Sequence, residues 1–432
     1  MAEAIFRNLT QNSDNRRELA ERLFKGVDID EHPEKKMLQR IDKLNQLIEN
    51  ETTKLDRLMD NYLDETIDIK LYDMFQKKLS SRIEKYKLEI LELEKKCSSL
   101  EPLDVRIENA KKSIRKLLDI NYNGVDEKVI EELKKQNRLD KKALIEPNFY
   151  LSYEKLYKNI LILATKVIEK TNKNEVVGIV TNRGVSTVVA MFACIYANNP
   201  YVVIDVESPK QRVNKIIEVA KPKLILVDKH NQNQWDFFQD IASICVDITY
   251  NDACYDKSLI KKRLEKMVSI DPLYVLFTSG STGIPKGTVV SHLNVVSYIE
   301  WFKNCFQINQ ETIFASQTPF YFSMSVSDVF STLLSGASII IVPKSYFSFP
   351  VKLFEMMNTY QVNTIYWVPS AYQIISQMHL LDYCLPQYLK LAMFAGEVMP
   401  VKVLNDWMDK LPNVKFANLF GPTETTDICT YY

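Results

Sequence analysis

Residues 276–287 read LFTSGSTGIPKG. Thr278, Ser279, Ser281 and Thr282 bring hydroxyls, Lys286 brings a point charge, and Gly280, Gly283 and Gly287 bring backbone freedom. Glycine can turn N–H groups inward at φ values other residues avoid. A ring of such donors with one cation suits phosphate oxygens. The preceding run Leu273–Phe277, LYVLF, reads as a buried strand. A strand running into this bend is a candidate phosphate cradle. It is not the G-x-x-x-x-G-K-[ST] loop of the P-loop NTPases, because Lys286 lies between Pro285 and Gly287. The plain alternative is a polar surface turn.

Two further segments stand downstream: Phe394-Ala395-Gly396-Glu397 and Asn418-Leu419-Phe420-Gly421-Pro422-Thr423-Glu424. Taken alone, each could be an ordinary turn. Together with residues 276–287 they resemble three motifs of the AMP-forming adenylating enzymes. That superfamily holds acyl-CoA synthetases, firefly luciferase and the adenylation domains of nonribosomal peptide synthetases. The resemblance implies that a carboxylate and ATP combine to an acyl-adenylate and pyrophosphate. It assigns Thr278, Ser279, Gly280, Ser281, Thr282, Gly283 and Lys286 to the β- and γ-phosphates. Gly396 and Glu397 would flank adenine, and Asn418, Phe420 and Gly421 would form its other wall, with Phe420 where the family usually has tyrosine. Thr423 would meet the α-phosphate, and Glu424 would hold Mg²⁺. Lys286, Thr423 and Glu424 are the implied catalytic residues. The chemistry needs them: at ~4 Å two unit charges interact by about 1 kcal/mol in water and about 4 kcal/mol at an effective dielectric of 20, and both reactants are anions.

The acid is harder to name. In the amino-acid-activating branch, an F-D-x-S-V motif supplies an aspartate for the substrate ammonium. This chain reads Phe322-Ser323-Met324-Ser325-Val326-Ser327-Asp328, with Ser323 at the aspartate position. A buried ammonium without its partner costs about 3–5 kcal/mol. Either the substrate lacks that charge or another acid replaces the aspartate. Asp427 falls where the family lines its pocket; Asp328 lies on the far side of the motif. The expected pocket is Ser323, Met324, Ser327, Ala395, Leu419 and Asp427. The surrounding sequence is most similar to amino-acid adenylation domains and D-alanine–carrier-protein-ligase-like proteins. That implies an amino acid as substrate and a phosphopantetheine carrier protein as a possible acceptor. Trp367, Pro369 and Ser370 resemble a strand-to-helix corner beside the acyl pocket, with core packing as the alternative for Trp367. His292 reads as a helix start.

These motifs lie in a region of α/β texture. Val176–Val180 reads as a parallel strand, Val185–Tyr196 as a helix and Tyr201–Ile204 as the next strand, the order of a right-handed βαβ unit. KKALIEPNFYLSYEKL reads as strand, turn and helix. Asn198-Asn199-Pro200 stands where the related sequences usually have glycines. The expected fold class is α/β: the parallel-sheet subdomains of the adenylate-forming N-terminal core over residues 121–432.

Residues 1–120 differ. Apolar residues recur at Ile41, Leu44, Ile48, Leu55, Leu58 and Tyr62, then at Leu79, Ile83, Tyr86, Ile90 and Leu93, and again from Leu103 to Leu117. This is a coiled-coil seam with charged flanks. A break between Asp60 and Ile69 predicts an α-helical hairpin. A spacer or self-association module follows from that pattern. Residues 35–97 also resemble, weakly, the coiled-coil region of large serine recombinases, which would suggest a gene fusion.

The 55 basic and 55 acidic residues balance, which gives no electrostatic case for nucleic acid or an acidic membrane. No apolar run approaches the ~18 residues of a membrane span. Seven scattered cysteines and four histidines predict reduced thiols in the cytoplasm and no zinc site. In the family, a β-barrel and a mobile lid follow the Glu424 motif, so the resemblance predicts a truncated enzyme of impaired activity. The alternatives are a non-catalytic nucleotide-binding remnant and a coiled-coil interaction protein.

Overall fold

The computed structural model describes residues 33–63, 68–98, 125–205, 207–229, 231, 240–248, 254–278 and 285–432. It divides into two compact units, Met1–Ile120 and Asn121–Tyr432.

In the first unit, α1 (Pro33–Leu63) and α2 (Ile69–Ser98) pair antiparallel. Arg40 bonds Glu89 at 2.8 Å, Arg82 lies 3.7 Å from Glu51, and Tyr72 Oη donates to Met59 Sδ at 3.1 Å. Leu44 is fully buried, and Ile41, Ile48, Leu55 and Leu58 are partly buried, as are Leu79, Ile83, Tyr86, Ile90 and Leu93 opposite. Glu51 occupies the seam position between Ile48 and Leu55 and is buried between Lys54 and Arg82. Of the expected break from Asp60 to Ile69, residues 60–63 still belong to α1 and Ile69 already opens α2, so the break is shorter than expected; residues 64–67 and the seam from Leu103 to Leu117 lie outside the described residues.

The second unit runs α3 (Val125–Lys135), β1 (Lys142–Glu146), β2 (Phe149–Ser152), α4 (Tyr153–Lys170), β3 (Val177–Val180), α5 (Val185–Tyr196), β4 (Tyr201–Val203), α6 (Lys210–Ala220), β5 (Leu224–Val227), β6 (Ala242–Cys245), α7 (Lys257–Leu264), β7 (Pro272–Thr278), β8 (Lys286–Ser291) and α8 (His292–Phe306). It continues β9 (Ile313–Ser316), α9 (Met324–Ser335), β10 (Ser338–Ile341), α10 (Pro350–Thr359), β11 (Thr364–Trp367), α11 (Pro369–Gln377), β12 (Leu391–Phe394), α12 (Val401–Lys410), β13 (Lys415–Phe420) and β14 (Thr430–Tyr431). One sheet has the order β6-β5-β3-β4-β7-β8, the other β14-β13-β12-β11-β9-β10-β1-β2. Both are parallel except at β2, β8 and β14, which pair antiparallel. The segment after Lys141 is thus strand, turn, strand and helix, one strand more than the sequence pattern predicts.

Side-chain alternation sorts these strands into layers. Phe314, Ile339, Tyr366 and Met393 face an inner cluster that also takes Ile179, Tyr201 and Leu226 from the other sheet. Their neighbours Ala315, Ile340, Trp367 and Phe394 face an outer cluster with α10, α11 and α12. Val180, Val202 and Ile225 face α6. Strands buried on both faces are what a covered parallel sheet requires. The inner layer holds α4, α5, α8 and α9; α5 is apolar almost all round and buried accordingly.

Two local devices join these layers. Asn198 has φ +52°, the left-handed region that glycine and asparagine enter most readily. Its side chain donates to Asp271 at 3.3 Å, so asparagine supplies both the turn and a bond. Arg183, between β3 and α5, donates to the carbonyls of Ser316, Thr318 and Val342 at 2.9–3.0 Å and lies over the Phe320 ring. It ties the ends of strands from both sheets, and burial lowers its pKa to about 10.

Candidate active site

β7 and β8, which flank the expected phosphate segment in sequence, pair antiparallel. Thr278 of β7 stands opposite Lys286 of β8, so Lys286 and Gly287 belong to the return strand, not to the loop. Ser279, Gly280, Ser281, Thr282 and Gly283 lie outside the described residues. Lys286 is exposed at the head of β8. The backbone of β8 comes within 8 Å of the short helical turn Thr423–Thr425. The hairpin and the Glu424 segment, remote in sequence, therefore share one edge of the unit.

Parallel pairing assembles the other wall. Phe394 of β12 stands opposite Asn418 of β13, which places 395–397 beside 419–424 at the carboxyl ends of two strands. Ligands of open α/β sheets bind at such ends. Along β13, Ala417 and Leu419 turn into the core while Asn418 and Phe420 face outward. Phe420 keeps 68% of its surface exposed, unusually open for so large an apolar ring. Gly396 has φ +88°, and a Cβ there would lie 3.4 Å from Met324 Sδ. Glu397 accepts bonds from Ser370 N at 2.8 Å and Ser370 Oγ at 3.2 Å, capping α11. Its carboxylate is engaged in holding the strand-to-helix corner beside the expected adenine wall.

Glu424 is exposed on the turn Thr423–Thr425. Among the described residues no group of three acids, cysteines or histidines could hold a metal ion. One open carboxylate fits Mg²⁺, which keeps most of its shell as water and phosphate oxygen. Glu424 is the residue that would hold it.

The chain then folds back sharply. A Cβ on Gly421 would lie 2.0 Å from the Asp427 carbonyl oxygen, so only glycine permits this approach. Thr426 adopts φ 79°, ψ −53°, a rarely populated and strained conformation for a β-branched residue. These two features turn Asp427 inward, where it is 1% exposed. Its carboxylate accepts from Ser327 Oγ at 2.7 Å, Tyr298 Oη at 3.0 Å, Ser323 Oγ at 3.2 Å and Tyr366 Oη at 3.3 Å. Burial pushes its pKa up to about 6, against the downward pull of these hydroxyls. Burial, with the Asp427 charge adding to it, raises Tyr298 and Tyr366 well above the ordinary phenol range. Asp328, buried on α9, interacts with Ser316 and Arg183 instead, and burial raises it to about 7.

Of the expected pocket residues, Ser323, Ser327 and Asp427 are joined by hydrogen bonds, and Met324, Ala395 and Leu419 share the inner apolar cluster. Tyr298 and Tyr366 complete the cluster and were not expected. A tyrosine inside an apolar helix or strand reads as core until its partner is known. Trp367 is core packing: it faces the outer layer and donates to the Ala315 carbonyl at 2.7 Å. His292 opens α8, capped by Ser291, and burial lowers its pKa to about 4.

Comparison with known proteins bears on the fold and the family. The chain is 30% identical over 311 residues to the D-alanine–D-alanyl carrier protein ligase of Bacillus licheniformis, covering 69% of this chain and 59% of the ligase. It is 29% identical to the L-proline–[L-prolyl-carrier protein] ligase of Pseudomonas fluorescens, covering 67% of this chain and 59% of that protein. It thus spans about three fifths of the length of these relatives. The nonribosomal peptide synthetase FmoA3 in its AMPPNP-bound form superimposes with a TM-score of 0.62 at 21% identity, over 71% of this chain and 32% of that one. The N-terminal subdomain of Klebsiella oxytoca NpsA gives 0.57 at 15% identity, over 71% and 74%. These structures share the fold. The profile of the AMP-binding enzyme family matches residues 130–432, and the chain belongs to that family.

Proposed function

We propose that the chain activates an amino acid with ATP, forming an aminoacyl-adenylate and releasing pyrophosphate, for transfer to a carrier-protein thiol. The observation that carries this reading is the approach of β8, headed by Lys286, to the turn that bears Thr423 and Glu424. A carboxylate oxygen of the substrate forms a bond to the α-phosphorus as the bond to the pyrophosphate oxygen breaks. The attacking acid is ionised near pH 7, so no general base is required. Lys286 and the hydroxyls around it offset charge on the departing phosphates, and Thr423 donates toward the α-phosphate. Phe420 stacks on adenine. Mg²⁺ held at Glu424 would neutralise phosphate charge. The helical pair α1 and α2, in the separate unit Met1–Ile120, serves as a spacer or self-association element in this reading.

ATP–pyrophosphate exchange across a panel of amino and aryl acids tests it. Exchange is expected with at least one amino acid. Its absence with every acid, for the chain alone and with a relative's C-terminal domain supplied, sinks the catalytic part. Equilibrium ATP binding, weakened about tenfold or more in Lys286→Ala and in Phe420→Ala, then separates a nucleotide-binding module from a purely helical interaction protein. Sedimentation of the chain with and without residues 1–120 reports self-association.

A further inference from the structure

Resting on the adenylating reading above, we propose that Asp427 recognises the substrate through its ammonium group, so that the substrate is a carboxylic acid carrying a primary amine. Four hydroxyls surround the Asp427 carboxylate, and no cation of the described residues is among its hydrogen-bond partners. Residues 279–284, outside the described residues, include no lysine, arginine or histidine either. A buried carboxylate that ionises needs a positive partner, and here the ligand is left to supply it.

The surroundings fit an –NH₃⁺ head. That group has three donors and no acceptor, while the carboxylate and the seryl and tyrosyl oxygens retain lone pairs. The cluster is also deliberately built: strained Thr426 and sterically obligatory Gly421 both serve to place this one side chain. It lies at the carboxyl end of the sheet, with its Ser323 partner beside Met324, which approaches Gly396 in the expected nucleotide wall. A substrate whose carboxylate meets the nucleotide can therefore extend its amine toward Asp427.

The test uses non-reactive acyl-sulfamate analogues of the adenylate, matched in pairs with and without the amine, with binding to the full chain measured by calorimetry. Wild type is expected to bind the aminoacyl analogue about a hundredfold or more tighter than its des-amino partner. Asp427→Asn is expected to erase that preference while keeping the circular dichroism of the fold. Ser323→Asp combined with Asp427→Asn places a carboxylate one hydrogen bond away and is expected to restore part of it. Equal binding of both analogues by wild type, or an undiminished preference in Asp427→Asn, overturns the inference and leaves the adenylating reading standing. Binding of neither analogue overturns the adenylating reading itself, and the inference with it.

Discussion

Asp271 lies just before β7 and Asp427 just beyond β13; both are buried in the same unit, 0% and 1% exposed. Asp271 accepts from Val268 N at 2.9 Å, Asn174 at 3.1 Å and Asn198 at 3.3 Å, and Lys173 stands 3.1 Å away. These partners outweigh burial and hold its pKa below the ordinary value. Asp427 has hydroxyls alone, and its pKa is pushed up to about 6. A carboxylate with its own cation is a fixed part of the scaffold. One with only neutral donors is held ready for a charge that arrives from outside. The protein tolerates the cost where function uses it.

The sharpest way to break this contrast is to neutralise both acids. Asp271→Ala leaves two asparagine amides and the Val268 N–H without this acceptor and removes the ion pair with Lys173, and should cost about 3–5 kcal/mol in denaturant unfolding. Asp427→Asn removes a buried charge lacking a cation and should be neutral or stabilising at pH 7, while the preference for the aminoacyl analogue is lost. Destabilisation of similar size in both would erase the distinction.

The pH dependence of stability gives a second test. The folded pKa of Asp427 lies above its unfolded value of 3.8, so between about pH 4 and 6 the native state binds more protons. Stability therefore falls as pH rises through that window, by about 3 kcal/mol for a shift of this size. Tyr274, Tyr298 and Tyr366 face Asp427 and stay neutral; Asp328, raised to about 7, adds a slope of the same sign. Subtracting the Asp427→Asn curve isolates the Asp427 part. Asp271 contributes the opposite way: its stabilisation is present above about pH 4 and disappears as pH falls through its lowered folded pKa.

A smaller effect refines the picture. Tyr366→Phe removes one donor to the carboxylate and should cost the ionised form about 1.5–3 kcal/mol. Aminoacyl-analogue affinity at pH 7 should drop about tenfold, and its rise with pH should move upward. Trp367→Phe, one residue along, should change stability and leave that pH profile in place.

The pair Tyr366 and Trp367 also marks where sequence reading stopped. The strand itself was legible, and so was its proximity to the pocket. Which of two adjacent rings faced the pocket was not, because a period of two distinguishes faces without saying what covers each. The Asn198 substitution was visible as a departure; its left-handed φ and its bond to Asp271 came only with the fold. Arg183 gave no signal, since its partners are backbone carbonyls beyond residue 315.

By itself, the sequence determined the α/β texture, the helical pattern of α1 and α2, the hydroxyl- and glycine-rich bend, and the ring-plus-acid segment from Asn418 to Glu424. These are local: each depends on side-chain type and spacing within a few turns or strands. Tertiary structure alone decided that β8 runs against Thr423–Thr425 and that Ser323, Ser327, Tyr298 and Tyr366 converge on Asp427. Hydrogen bonding between residues separated by 61 to 129 positions leaves no periodic trace in a chain, because it is fixed by strand order and by the one sharp turn that Gly421 permits.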